Sequence, residues 1–351
     1  MYTRKTYRAI DMALWTRYET LLFLGIGIVW VSMYYFFDLE WLKIPWTPLA
    51  LIGTAVAFVI GFQNNAAYGR IWEARKIWGG IVNTSRTFGM FLQDMLTNEH
   101  TQNPMSEAEL RSEVKTITYR HIAWMTALRH AMRVTKPWET YHSNRANSDW
   151  GFPPPERLTG LEDDLKDYLS PEDFTKIMSR NNKQTAILYE QSHHLRKLKE
   201  SGIIWEFSFL ELEGVLEELF NLQGKSERIK NFPYPRQFAT LNHFFMWIFV
   251  LLLPLALVPQ FADIGKEFID TYPVVGDLFV WLSIPFYAMV AWIFHTMERI
   301  GRTGENPFEG TSNDVPISTI ARGIEIDLRQ NLDEKNDEIP DQFPSQFNVQ
   351  Y

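Results

Sequence analysis

The sequence predicts an all-α membrane protein, with four transmembrane helices per subunit and a helical domain outside the bilayer. Three observations lead there. Four charge-free apolar blocks approach or reach the roughly 20 residues a helix needs to cross a bilayer. The intervening sequence carries helix caps and helical periodicity. No alternating strand pattern stands out along the 351 residues. The mean hydropathy is only −0.19, although 15% of residues are aromatic. Apolar residues are therefore segregated into blocks.

The order of elements follows. Residues 1–19, with Arg4, Lys5, Arg8 and Arg17, form a basic N-terminal segment. It is too long and too interrupted for a signal-peptide head, so the first apolar block is expected to be retained. That block, 20–37, is the first span. The second occupies 46–65, and after Pro48 it has no proline or clear stop until Asn98, so its helix should run on beyond the bilayer. Residues 66–235 read as a helical domain. In it, Ser106-Glu-Ala-Glu109 is a capping box and Ser170-Pro171 a second helix start. Residues 137–155 read as loop, 181–199 as helix, and 203–222 as a helix closed by Gly224. The third span is 238–262 and the fourth 278–297. A helical segment at 298–332 follows, then a polar tail at 333–351 that stays extended or disordered unless it docks.

Charge sets the expected orientation. Basic residues flank the spans at Arg4 to Arg17, Arg70 to Arg86, Lys225 to Arg236, and Arg299 and Arg302. The opposite connections are short or acidic. By the positive-inside rule both termini and the long middle region face the cytoplasm, in a cell (inner) membrane.

Composition removes several classes. A net charge of −8 without a long basic run gives no support for nucleic-acid binding. The absence of cysteine excludes disulfides and thiol nucleophiles. Gly224-Lys225-Ser226 resembles the end of a phosphate loop, but Leu219 stands where its first glycine is required. His193 and His194 are adjacent and diverge on a helix, so they do not make a metal site. His243 and His295 lie near span ends, where snorkelling or capping is expected. The pairs Asp163-Asp164 and Glu217-Glu218 read as solvated faces. Nothing points to an enzyme or a cofactor.

The second span carries the most informative pattern. Gly53, Ala57 and Gly61 form one stripe at i, i+4 and i+8, suited to close helix packing. Thr54, Phe58 and Phe62 form the neighbouring stripe, about 100° away. Repeated around an axis, that stripe would line a narrow, dry constriction. Within one subunit it equally fits ordinary packing.

Several stretches together resemble the bestrophin family of ion channels, in particular its bacterial members. Gly61-Phe-Gln-Asn-Asn-Ala-Ala-Tyr-Gly-Arg-Ile-Trp-Glu-Ala-Arg-Lys-Ile-Trp-Gly79 is similar to the family's second helix as it leaves the membrane. Gly224-Lys-Ser-Glu-Arg-Ile229 with Pro233-Tyr-Pro235 resembles the segment before the third span, and Glu305 to Pro316 the stretch after the fourth. The resemblance covers about residues 15–330. It implies a homopentamer with a central pore, four membrane helices per subunit and a helical cytoplasmic domain. It also implies a neck of three side chains, one turn apart, which map onto Thr54, Phe58 and Phe62. Thr54 departs from the aliphatic residue more usual there. A second, cytoplasmic aperture maps onto Ile187. The calcium site of animal members maps onto a run with only two carboxylates, Glu309 and Asp314, so calcium activation is not expected; Asp314 would instead cap the helix opened at Val315-Pro316. The expected permeant ion is a small anion, chiefly chloride. The alternatives are a monovalent cation channel (sodium or potassium) of the same architecture, or a non-conducting membrane scaffold.

Overall fold

The structure, a computed structural model, describes residues 1–37, 39–139 and 153–351. Among them every extended element is a helix, and β-structure is limited to isolated bridges. The chain divides into two compact units. The span unit comprises residues 4–69 and 234–305; the polar unit comprises 1–3, 70–233 and 306–351.

The span unit contains α1 (Ala9–Trp15), α2 (Arg17–Phe37), the first part of α3 (Trp46–Met95), α9 (Arg236–Phe268), α10 (Pro273–Leu278) and α11 (Ser283–Gly304). Four helical segments are long and apolar enough to cross a membrane: Arg17–Phe37, Trp46–Met95, Arg236–Phe268 and Pro273–Gly304. Inside the unit, Phe23, Val56, Ile60, Phe249 and Tyr287 pack into one core. Much of the remaining apolar surface, such as Leu21, Phe244 and Met289, faces outward, as lipid-facing side chains must. Helix α9 keeps its course through Pro254 and Pro259. Pro259 has no N–H to give the Leu255 carbonyl one turn earlier. Ile44 N–H donates to that carbonyl at 3.3 Å instead, so the freed acceptor is satisfied from outside the helix.

The polar unit holds the rest of α3, then α4 (Glu107–Arg133), α5 (Leu161–Lys166), α6 (Pro171–Met178), α7 (Lys183–Glu200), α8 (Glu206–Asn231) and α12 (Ile317–Asn331). Its core gathers Trp78, Phe88, Trp124, Ile187, Leu219 and Phe308. Both helix starts read from sequence are present. Ser106 and Glu109 form a reciprocal capping box, and Ser170 accepts from Asp173 N–H with Pro171 in the first turn.

Local expectations are corrected at three places. Gly224 does not close a helix: α8 runs through it to Asn231, because Leu222, Ser226 and Ile229 on either side are buried and outweigh glycine's cost of about 1 kcal/mol. Asp314 does not cap α12, whose N-cap is Pro316; its carboxylate accepts from Gly310 N–H, Thr311 N–H and the Thr311 hydroxyl, closing the preceding loop. Asp164 is not a solvated carboxylate but pairs with Arg129 at 3.2 Å and His130 at 2.8 Å. The tail docks: Gln350 N–H donates to Met1 O, Thr319 N–H to Tyr351 O, and Phe343 lies under the Arg322 guanidinium. Most of the loop expected over 137–155 lies outside the described residues.

Candidate functional site

Helix α3 sorts its side chains by angle. Leu49, Gly53, Val56, Ile60, Gln63 and Ala67 are buried, a stripe at three- and four-residue spacing. Phe58 stands two residues from both Val56 and Ile60, hence about 160° around the helix from each. It is 68% exposed, and Phe62 is 60% exposed. Their rings meet edge to face, with centroids 4.7 Å apart and planes at 87°. Thr54 lies on the same face, exposed, with its hydroxyl donating to Ala50 O at 2.9 Å. Its polar group is thus turned onto its own helix. The three residues named from sequence therefore share one uncovered face of the span unit.

The small-residue stripe divides. A Cβ at Gly53 would meet the Phe249 ring at 2.7 Å, so glycine there permits the approach of α9. Ala57 is exposed, and nothing lies within 4 Å of a Cβ built at Gly61. Steps of four residues advance 40° each beyond full turns, so a stripe that begins buried at Gly53 has drifted 80° out of the packing face by Gly61.

Ile187, which the resemblance maps to a cytoplasmic aperture, presents no exposed side chain. It is fully buried in the core of the polar unit, on the α7 face that also buries Leu195 and Leu198. Helical phase there is set by core packing, and the exposed residue of that turn is Tyr189. Glu309 and Asp314 are also spent internally: Glu309 accepts from Asn306 at 2.6 Å, and Asp314 closes its loop. Among the described residues, no group of three acidic or histidine side chains could hold a metal.

Two polar clusters in the span unit escaped the sequence reading. In the first, Gln63 (1% exposed) donates through Nε2 to Glu305 Oε1 at 2.8 Å, and accepts from Asn242 Nδ2 at 2.9 Å. Arg236 reaches Glu305 Oε2 at 3.2 Å. In the second, His243 Nδ1 lies 3.3 Å from buried Glu298, so this histidine pairs with a carboxylate and does not snorkel. His295 is packed edge-on against Phe23. The available signal was an amide following an otherwise apolar helix, since intramembrane polar groups need named partners.

A family model described as bacterial/fungal bestrophin protein matches residues 6–330. The chain belongs to the bestrophin family. A crystal structure of a bacterial bestrophin homologue from Klebsiella pneumoniae superposes with a TM-score of 0.71 at 22% identity, covering 91% of this chain and 98% of that one. Among sequence relatives, a voltage-dependent anion channel-forming protein of Ralstonia nicotianae is 28% identical over 288 residues, 82% of this chain and 78% of its own length. The voltage-dependent anion channel-forming protein YneE of Escherichia coli K12 is 26% identical over 293 residues, 84% and 79% of the two chains. Family membership and four apolar span candidates make this bestrophin a membrane protein.

Proposed function

We propose that this chain assembles as a homopentameric anion channel whose central pore is narrowed by Thr54, Phe58 and Phe62. The observation that carries the reading is the uncovered aromatic face of α3. Two large phenyl groups stand one turn apart, opposite the stripe that packs, and no charged residue lies on the helix between Trp46 and Gly69. Five copies around an axis would turn ten rings inward. Such a neck holds back water and closes by dewetting, and a small dilation or rotation opens it. No chemical step is involved; the protein supplies a path and a gate.

The permeant ion is a small anion, with chloride the first candidate. Support comes from the anion-channel names of the relatives; ring edges turned to the axis would favour anions, and ring faces would favour cations. A monovalent cation channel of the same architecture is the competing outcome, and a non-conducting scaffold another.

The spans proposed are 20–37, 46–65, 238–262 and 278–297, in an inner membrane. Both termini, residues 66–235 and residues 298–332 would face the cytoplasm. Support for this orientation comes from basic residues beside the proposed cytoplasmic ends, among them Arg17, Arg70, Arg236 and Arg302.

The test is a planar bilayer holding purified protein under a potassium chloride gradient. A reversal potential near the chloride equilibrium value supports the anion channel; one near the potassium value selects the cation reading. Absence of current from assembled protein overturns both.

A further inference from the structure

The Gln63 cluster has a cost that an apolar residue would avoid. A buried carboxamide is tolerated only when its hydrogen bonds are made, and leucine at this position would bury equally well. Above it, the α3 packing face offers Gly53, Val56 and Ile60, small or branched apolar side chains with no directional bonds. Packing and the close fit of Gly53 against Phe249 bias this face toward one angle, but neither contains a directional bond. Gln63 differs because both ends of its amide are engaged, and from different helices. Nε2 donates to Glu305, just after α11, and Oε1 accepts from Asn242 on α9. Arg236 binds the other oxygen of Glu305 and supplies the counter-charge. A rotation of α3 by one residue would move the amide about 100° and break both bonds. The same rotation would carry Phe62, the adjacent residue, toward the buried side.

We propose that Gln63, Asn242, Glu305 and Arg236 form a rotational lock on α3 that holds Phe58 and Phe62 on the open face. Gln63 is thus a positioning residue for the gate. The assignment rests on the pore reading above. It extends that reading by naming what sets the angle of the rings: a carboxylate more than two hundred residues away in sequence. A single directional polar group specifying the register of a helix interface is an established use of buried polarity.

The chain has no cysteine, so Phe58→Cys introduces the only thiol. The experiment measures the rate at which a short bifunctional maleimide joins the introduced thiols of neighbouring copies in vesicles, with assembly checked by native mass. With Gln63 intact, efficient joining is expected. Adding Gln63→Leu, or separately Asn242→Leu, should slow it on the order of tenfold, the factor carried by about 1.4 kcal/mol of lost hydrogen bonding. Glu305→Gln, whose amide oxygen still accepts from Gln63, should preserve the rate. The paired variants guard against a folding failure in either one. Unchanged joining in assembled Gln63→Leu and Asn242→Leu would overturn the lock and leave the pore standing. No joining in the Phe58→Cys parent would overturn the pore, and the lock with it.

Discussion

Gln63 and Glu305 meet at 2.8 Å inside the span unit, although 242 positions separate them along the chain. That contact, with Asn242 on the other side of the amide, sets which face of α3 is buried. It leaves the phenyl groups of Phe58 and Phe62 uncovered one turn apart. The proposed gate, a helix crossing in the span unit and, independently, the polar unit's core each offer a measurement.

Replacing Phe58 by alanine should weaken the gate. Loss of one ring per subunit widens and wets the constriction, so the current at fixed voltage and the fraction of time open should both rise. Phe58→Trp should lower both. Single-channel recording of the two variants checks the pair, and the reading fails if Phe58→Ala conducts like the parent.

Gly301 lets α11 lie close against α3. A Cβ there would stand 2.6 Å from Asn64 Oδ1 and 3.3 Å from Gln63 Cγ. Gly301→Ala should therefore destabilise the folded protein by about 1–3 kcal/mol, the usual cost of overpacking. Adding Asn64→Ala removes the atom in the way and should recover part of the loss. Thermal midpoints in detergent compare the two.

His121 should make the polar unit acid-sensitive. It lies between Phe88 and Trp124, with neither ring nitrogen hydrogen-bonded. Burial pushes its pKa down from 6.5 to about 3. The unfolded chain therefore takes up the proton first as pH falls. Stability is intact above pH 6.5 and declines towards pH 3, with a slope of up to about 1.4 kcal/mol per pH unit. His121→Phe keeps the ring and should flatten that part of the pH dependence. Thermal midpoints at about pH 7 and about pH 4 for both proteins give the difference.

Glu156 is a buried counter-ion, and its loss should be costly. It pairs with Arg129 at 2.6 Å and Arg133 at 3.5 Å, both guanidinium groups being buried. Burial pushes its carboxyl up, but Arg133 and Arg129 outweigh that and hold it below the usual glutamate value of 4.5. Its contribution is thus present above pH 4.5 and lost as pH falls below it. Glu156→Ala leaves two buried cations short of a partner and should cost about 3–5 kcal/mol near neutral pH. Denaturant midpoints read the loss, and the gap from the parent should narrow in acid.

Much of the fold was legible because its signals are local. Span length, charge-free blocks, the Ser106–Glu109 capping box and the Ser170-Pro171 start depend on neighbours only a few residues away. The long α3 follows from the lack of any stop between Trp46 and Met95. Residue identity alone did not reveal angular facts. Ile187 and Tyr189 are two positions apart, yet one is in the core and the other exposed. Gly61 continues a stripe that is buried at Gly53, yet it has rotated into the open. Asp314 precedes a helix but serves the loop behind it.

By itself, the sequence determined that this is a helical membrane protein with four apolar spans, a polar helical region and an aromatic stripe at helical spacing. Hydrophobic length and capping act through adjacent residues, so they can be read along a line. Only the tertiary structure decided which way the stripe faces. That depends on Gln63 finding Glu305 and Asn242, partners supplied by distant segments, and on the close approach of α9 at Gly53. A helix has no intrinsic inside. Its orientation is chosen by the packing and directional hydrogen bonds of the helices against it.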